Sequence, residues 1–321
     1  MSLKFTQELS SSFPRLLTDN PIYNNPTVRT ILFTLGAGYA FCKAFYLIKN
    51  TLAYLFRFEK DLATRYGRYT WAVITGASDG IGKAFAFELA KREFNIVLVG
   101  RNEEKLKNVE KELLAQYPKT QTRVVVKDFS LAYEEGFAEE IYQKIKDLDI
   151  SILINNAGQS IRGYYHDISL SEIRNVILVN CLAHALITRV LLPKLAARAQ
   201  KSAIINMAST AASYPRPIVQ VYSASKAFHD YLSQGLVYEH PNIDVISLKP
   251  GSVATKMTGQ KGGRPSMTTI TPEQFVDVGL RSLGSLKETH GHWKHVWRWV
   301  IGSSVPEVLK PYYFKKVFDM K

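Results

Sequence analysis

Cysteine is scarce in this sequence. Two occur in 321 residues, Cys42 in an apolar segment and Cys181 beside Asn180, which predicts no disulfide and a core suited to a reducing compartment. No cysteine–histidine spacing has the form of a metal site, and His290, His292 and His295 cluster among aromatics as structural or interfacial residues do. Internal repeats, low-complexity runs and linkers that would divide a core are missing as well. Acidic residues are few beside basic ones, 28 against 41, a formal net charge of +13. No nucleic-acid-binding module accompanies that excess, so it reads as attraction to anionic lipid and an anionic substrate, not to nucleic acid.

What is present is a rhythm. Apolar runs at 71–74, 95–99, 123–126, 150–154, 203–207 and 243–248 alternate with helical patterns. That alternation predicts an α/β fold, a Rossmann-type doubly wound parallel sheet with helices on both faces. The length allows one sizeable core with extra elements at both ends. A final strand is expected at 291–296.

The first run is followed by Thr75-Gly76-Ala77-Ser78-Asp79-Gly80-Ile81-Gly82 and then by an apolar helix closed by Lys91-Arg92. A strand, a glycine-rich turn and a helix N-terminus form an anion cradle: glycine lets the backbone approach a pyrophosphate, and free N–H groups point at it. Tight strand–helix turns also use glycine for steric reasons, so this loop alone does not select a ligand. Further on stand Ser209, at the carboxyl end of a strand, and Tyr222-Ser223-Ala224-Ser225-Lys226. Tyr and Lys four apart share a helix face, and a nearby ammonium favours a phenolate, which suits Tyr to proton exchange with an alcohol or ketone. A surface Tyr–Lys pair is the plain alternative.

Taken together, these residues resemble the short-chain dehydrogenase/reductase family over about residues 70–255. The motifs fall in the family's order: the 75–82 loop, Asn155-Asn156-Ala157-Gly158, Asn180, Ser209, Tyr222 with Lys226, and Pro250-Gly251 with Thr255. The resemblance implies that Tyr222 protonates the substrate carbonyl, Lys226 lowers the Tyr222 pKa and holds the nicotinamide ribose, and Ser209 orients the carbonyl. Asn180 would hold a water that relays protons to Lys226. Cofactor contacts are implied at Gly76, Ser78, Asp79, Gly80, Ile81, Gly82, Asn155, Ala157, Tyr222, Lys226, Pro250, Gly251, Val253 and Thr255, with Asp128 on the adenine amino group. Asn155 and Asn156 are expected to brace the sheet and flank the cofactor. Gly100-Arg101 ends the second strand where an NAD site usually carries a carboxylate; Arg101 can instead pair with a 2′-phosphate, helped by Asn102 and Lys105. NADPH (NADP+) is therefore the expected cofactor, and reduction the expected direction. A solvated Arg opening the next helix is the alternative.

Residues 31–48 hold one charge, Lys43, and as a helix span about 27 Å, near the hydrocarbon thickness of a bilayer. The segment starts late and has no small-residue cleavage pattern, so it reads as a retained anchor; an interfacial helix is the alternative. Lys49, Arg57, Lys60, Arg65 and Arg68 after it outnumber Lys4, Arg15 and Arg29 before it, placing the main domain in the cytosol by the positive-inside rule. Tryptophans mixed with cations at 292–301, and Tyr312 to Lys316 beyond, suit either membrane contact or packing. The expected organisation is an N-terminal extension at 1–27, a membrane-anchor helix at 28–57, a catalytic domain at 70–300 and a C-terminal tail at 301–321.

The anchor, the Trp71 to Gly82 wording and the Val253-Ala254-Thr255-Lys256-Met257 loop resemble the 17β-hydroxysteroid dehydrogenase type 12 and type 3 branch. That branch includes very-long-chain 3-oxoacyl-CoA reductases of the endoplasmic reticulum membrane. The resemblance implies NADPH-dependent reduction of a 3-oxoacyl-CoA in fatty-acid elongation, with elongation enzymes as partners and a homodimer through the Tyr222 helix. Lys256, Lys261 and Arg264 could meet CoA phosphates. Reduction of a 17-ketosteroid, and a silent NADPH-binding membrane scaffold, are the alternatives.

Overall fold

Every apolar run read as a strand is a strand, and all of them lie parallel. The computed structural model describes residues 25–55, 61–258, 269–305, 309–310 and 312–314. The N-terminal unit contains most of helix α1 (Pro26–Leu55). Its Pro26–Lys49 stretch has a mean hydropathy of 1.6 and is long and apolar enough to cross a membrane. Its large side chains, Phe33, Leu35 and Phe41 among them, are exposed, an apolar surface that water does not support at that size. Of the expected 28–57 anchor, residues 56 and 57 lie outside the described ones, as do residues 1–24 of the N-terminal extension.

The larger unit runs α2 (Leu62–Tyr66), β1 (Trp71–Thr75), α3 (Gly80–Ala90), β2 (Asn95–Gly100), α4 (Glu103–Gln116), β3 (Thr122–Val126), α5 (Phe137–Gln143) and β4 (Ile150–Asn155). It continues with α6 (Leu170–Ile177), a π-helical turn at Leu178–Leu182, α7 (Ala183–Ala196), β5 (Ser202–Met207), α8 (Gln220–Glu239) and β6 (Ile243–Leu248). Short strands β7 (Ser252–Val253) and β8 (Thr269–Ile270) pair with each other; α9 (Pro272–Ser282), β9 (Glu288–Thr289) and α10 (Trp293–Ser304) follow. The continuous stretch Leu170–Ala196 is also long and apolar enough to span a bilayer, but half of it is buried inside the fold.

The sheet order is β3-β2-β1-β4-β5-β6-β9. Neighbouring residues on a strand point to opposite faces, so one chain segment serves two cores. Ala72, Ile74, Ile96, Leu98, Ile152 and Ile154 pack with Phe85 and Leu89 of α3, Leu106 of α4 and Phe275 of α9. Val73, Val97, Val99 and Leu153 pack on the other face with Ile141 of α5 and Ile187 and Leu191 of α7. Strands buried on both faces need no polar alternation, which is why they read as unbroken apolar runs.

The strand order reverses between β1 and β4, both hydrogen-bonded along one seam. Their connections leave in opposite directions and open a crevice at the carboxyl ends, where ligands of such sheets bind.

The last strand corrects the expected one at 291–296. It ends at Thr289; Gly291 takes φ +73°, and the His292 imidazole caps α10 by accepting the Lys294 N–H at 3.2 Å. The aromatic and basic residues that follow are helical. Trp293 and Trp297 are exposed on α10. Within the tail, Phe314 stacks on Tyr214 at 6.3 Å; Lys315 and Lys316 lie outside the described residues.

Candidate active site

A cavity of about 310 Å³ occupies the crevice. Gly76, Ser78, Asp79, Gly80 and Ile81 line it from the β1 side, Arg101 and Asp128 from the ends of β2 and β3, and Ala157, Tyr222, Lys226, Pro250 and Thr255 from the other side. The glycines are required by space. A Cβ on Gly76, which sits at φ +66°, would lie 2.9 Å from the Ala157 Cα. One on Gly82 would lie 2.2 Å from the Gly76 carbonyl, so Gly82 shapes the turn from beneath and does not itself line the cavity. Asp79 caps α3, accepting the Gly80 N–H at 2.8 Å, and pairs with Lys256. Burial pushes its carboxyl upward, but Lys256 and the Gly80 N–H outweigh this and hold it below the usual range.

Thr75 joins the two lips of the crevice. Its Oγ1 accepts the Asn156 and Ala157 N–H groups at 2.8 and 3.0 Å, and Asn156 Nδ2 donates to the Thr75 carbonyl at 2.9 Å. Asn156, not Asn155, lines the cavity. Asn155 still belongs to β4, and its side chain turns into the core, donating to Thr188 Oγ1 and Asn206 Oδ1 at 2.8 Å each. Of the expected cofactor contacts, Gly251 and Val253 also stand outside the lining: Gly251 packs against His295, and Val253 is buried in the core.

Tyr222 and Lys226 lie one helical turn apart on α8, with Lys226 Nζ 5.9 Å from the Tyr222 ring centroid. Lys226 is buried and donates to the Met207 carbonyl at 2.7 Å; burial pushes its pKa down to about 8. Tyr222 departs from the lowered phenol that the resemblance implies. Burial, the largest influence on it, holds the phenol above its ordinary value, while a hydrogen bond with Ser209 and the Arg216 charge pull the other way. Ser209 follows β5, accepts the Ala211 N–H at 3.1 Å and lies 3.5 Å from the Pro250 carbonyl.

Asn180 sits in the π-helical turn. Its amide donates to the Gln159 carbonyl and to Ser225 Oγ, both at 2.9 Å, and its Oδ1 accepts the Gln159 N–H at 2.8 Å. The Asn180 side chain thus clamps Gln159 against α8, and its backbone carbonyl faces the His184 and His229 rings. A Cβ placed on Gly158 would lie 3.4 Å from Lys226 Nζ and 3.5 Å from Asn180 Oδ1, so both groups converge on Gly158, which lines the cavity beside Lys226 while Asn180 stands behind it.

Sequence reasoning missed Lys127 and Phe129, which flank Asp128 in the lining, and Met207 and Ala208. Lys127 lies 2.5 Å from Glu140 and over the Phe137 ring; its place directly before Asp128 at a strand end was the available signal. It also missed Ile218, a β-branched residue at φ +66° whose carbonyl accepts the Gly163 N–H at 2.8 Å. Such strain collects at functional loops, and here it ties the segment before Tyr222 to the segment after Gly158. Lys256 and Met257 line the cavity; Lys261 and Arg264 lie outside the described residues. Among the described residues, no group of three or more His, Cys, Asp or Glu could hold a metal ion.

A family model described as short chain dehydrogenase matches residues 70–265. The human protein named inactive hydroxysteroid dehydrogenase-like protein 1 is 39% identical over 255 residues, covering 78% of this chain and 76% of that one. A very-long-chain 3-oxoacyl-CoA reductase of Podospora anserina is 36% identical over 315 residues, covering 92% and 90%. Among solved structures, one from a study of 7beta-hydroxysteroid dehydrogenase stereoselectivity superposes with a TM-score of 0.68 at 27% identity, covering 79% of this chain and 99% of that one. A short-chain dehydrogenase from Sphingobium yanoikuyae in complex with NADPH gives 0.60 at 27% identity, covering 66% and 83%.

Proposed function

Since the chain belongs to the short-chain dehydrogenase family of oxidoreductases, we propose that it reduces a ketone on a membrane-borne lipid with NADPH, a long-chain 3-oxoacyl-CoA in fatty-acid elongation being the preferred substrate. The observation that carries this reading is that Tyr222, hydrogen-bonded to Ser209, and Lys226 line one cavity with the glycine turn and Arg101. A relative named inactive is among the similar proteins, and a scaffold would need none of these three side chains at one place.

The residues fit the cofactor. The glycines leave room that a Cβ would fill, the α3 N-terminus faces the cavity, and Arg101 has no ion pair among the described residues. Gly76, Gly80 and the α3 N–H groups would hold the pyrophosphate, Arg101 the 2′-phosphate, Asp128 the adenine, and Lys226 the nicotinamide ribose. NADPH, when bound, supplies the hydride.

The chain supplies the proton. Ser209 Oγ and the Tyr222 hydroxyl orient the ketone oxygen, and Tyr222 donates its proton as that oxygen gains charge. The raised pKa keeps Tyr222 protonated in waiting. Lys226, at about 8, holds a proton near neutral pH that can be passed on when the phenol needs one. The Asn180 clamp keeps Gln159 and Ser225 in register around this pair.

Membrane association is proposed on α1, whose exposed apolar side chains need cover, with the catalytic domain facing the cytosol at the endoplasmic reticulum and the exposed Trp293 and Trp297 touching the surface. A homodimer through α8 is part of the same proposal. The test is NADPH oxidation by detergent-solubilised protein with a long-chain 3-oxoacyl-CoA, beside a 17-ketosteroid and an NADH control. Acyl-CoA-dependent oxidation supports the reading; steroid turnover alone moves the substrate class; silence with both, while NADPH still binds, returns the scaffold.

A further inference from the structure

Behind the cavity two imidazoles touch. His184 is the second residue of α7, just after the π-helical turn, and His229 lies on α8 three residues beyond Lys226. His184 Nδ1 and His229 Nε2 are 3.1 Å apart, and neither ring has any exposed surface. His184 Nε2 is 3.3 Å from Thr75 Oγ1. The proton chemistry above uses neither ring, and apolar side chains would fill the same core without the desolvation cost.

The hydrogen-bonding capacity of Thr75 fixes where the His184 proton sits. A hydroxyl oxygen has two lone pairs, and those of Thr75 are taken by the Asn156 and Ala157 N–H groups. A third donor would have nowhere to go, so His184 Nε2 faces Thr75 as an acceptor. It shares the single hydroxyl proton with the Ile154 carbonyl at 3.2 Å. A neutral His184 then carries its proton on Nδ1, which faces His229 Nε2 at 3.1 Å and the Asn180 carbonyl. The Asn180 backbone carbonyl faces both rings as a further acceptor, and His229 Nδ1 has no partner. Burial and the Lys226 charge keep both rings neutral, His184 down to about 3 and His229 well below its ordinary value.

We propose that His184 and His229 are positioning residues: a neutral imidazole pair that orients the Thr75 hydroxyl and so locks both lips of the cofactor cradle to the helix that carries Tyr222 and Lys226. This rests on the reading of the cavity as an NADPH site. Of Thr75, His184 and His229, it is Thr75 that touches both lips, which is why its hydroxyl direction matters. His229 connects that link to α8.

Two readouts test the pair. Protein labelled with ¹⁵N-histidine is examined by long-range ¹⁵N–¹H correlation, with His184→Gln and His229→Gln used to assign the signals. The expected result is the Nδ1–H tautomer at His184, with neither ring titrating between about pH 5.5 and about pH 8. An Nε2–H tautomer at His184, or titration of either ring in that range, overturns the proposal. NADPH affinity is then measured by fluorescence. His184→Gln, whose amide oxygen replaces the Nε2 acceptor, keeps Kd within about threefold, whereas His184→Leu weakens it about tenfold or more. His184→Leu binding NADPH like the wild type also overturns it. If His184→Leu does not fold, the tautomer measurement decides. If the wild type does not bind NADPH, the reading of the cavity fails, and the tautomers still decide for or against the pair.

Discussion

The Lys226 ammonium donates to the Met207 carbonyl at 2.7 Å, tying the cation of α8 to the last residue of β5. That contact holds Lys226 in the cavity wall, where burial lowers its pKa to about 8. An unfolded chain returns it to about 10.4.

The consequence is a pH dependence of stability with a definite sign. Between about pH 8 and about pH 10.4 the unfolded state holds a proton on Lys226 that the folded state has lost, so stability rises with pH there. Below about pH 8 both states are protonated and the contribution is flat. Chemical denaturation of wild type and Lys226→Met should show their difference growing in favour of the wild type across that window, by at most about 1.4 kcal/mol per pH unit. A difference independent of pH contradicts the burial argument.

Acid should act through the buried histidines. His184 and His290 are held down to about 3, each by burial first and then by a neighbouring lysine, Lys226 and Lys249 respectively. Unfolded histidine titrates near 6.5. Below that pH the unfolded state takes up protons that the folded state refuses, so stability falls as pH falls from about 6.5 towards about 3. Replacing His184 and His290 by Gln should remove about two protons from the uptake measured between about pH 6 and about pH 4.

Cofactor choice should lie with Arg101. Removing a guanidinium that pairs with a 2′-phosphate costs a charge-assisted contact of about 1.5–3 kcal/mol. Arg101→Ala should therefore raise the NADPH Kd about tenfold or more, with NADH binding nearly unchanged. Equal losses for both cofactors would place the 2′-phosphate elsewhere.

Two glycines should respond in opposite ways to alanine. At Gly82 the new Cβ meets the Gly76 carbonyl at 2.2 Å, so Gly82→Ala must push the cradle open, costing about 1–3 kcal/mol and NADPH affinity. Gly235 lies inside α8, exposed, with nothing within 4 Å of a built Cβ. Gly235→Ala should stabilise by about 0.5–1 kcal/mol. Thermal melts with and without NADPH check both.

Much of this molecule was legible in its sequence because parallel strands, buried on both faces, are plain apolar runs between glycine-bearing turns. The Gly76 loop, and the i, i+4 spacing of Tyr222 and Lys226, follow from local geometry. Less was legible where a side chain's direction depends on a partner distant in sequence. Asn155 and Asn156 are adjacent, and only the end of β4 decides that the first enters the core and the second meets the cavity. The π-helical turn around Asn180 has no local breaker to announce it. The strand expected at 291–296 was lost to Gly291, whose positive φ turns the chain into α10. The His184–His229 contact joins two helices across 45 residues and left no pattern to read.

In the proposed reaction Tyr222 delivers the proton to a ketone reduced at this cavity. Single-turnover NADPH oxidation with a long-chain 3-oxoacyl-CoA, in wild type and Tyr222→Phe that bind NADPH equally, tests it most directly. The wild type should oxidise NADPH rapidly, and the variant should lose about 10³-fold or more in rate. Turnover by Tyr222→Phe at a rate near the wild type would contradict it.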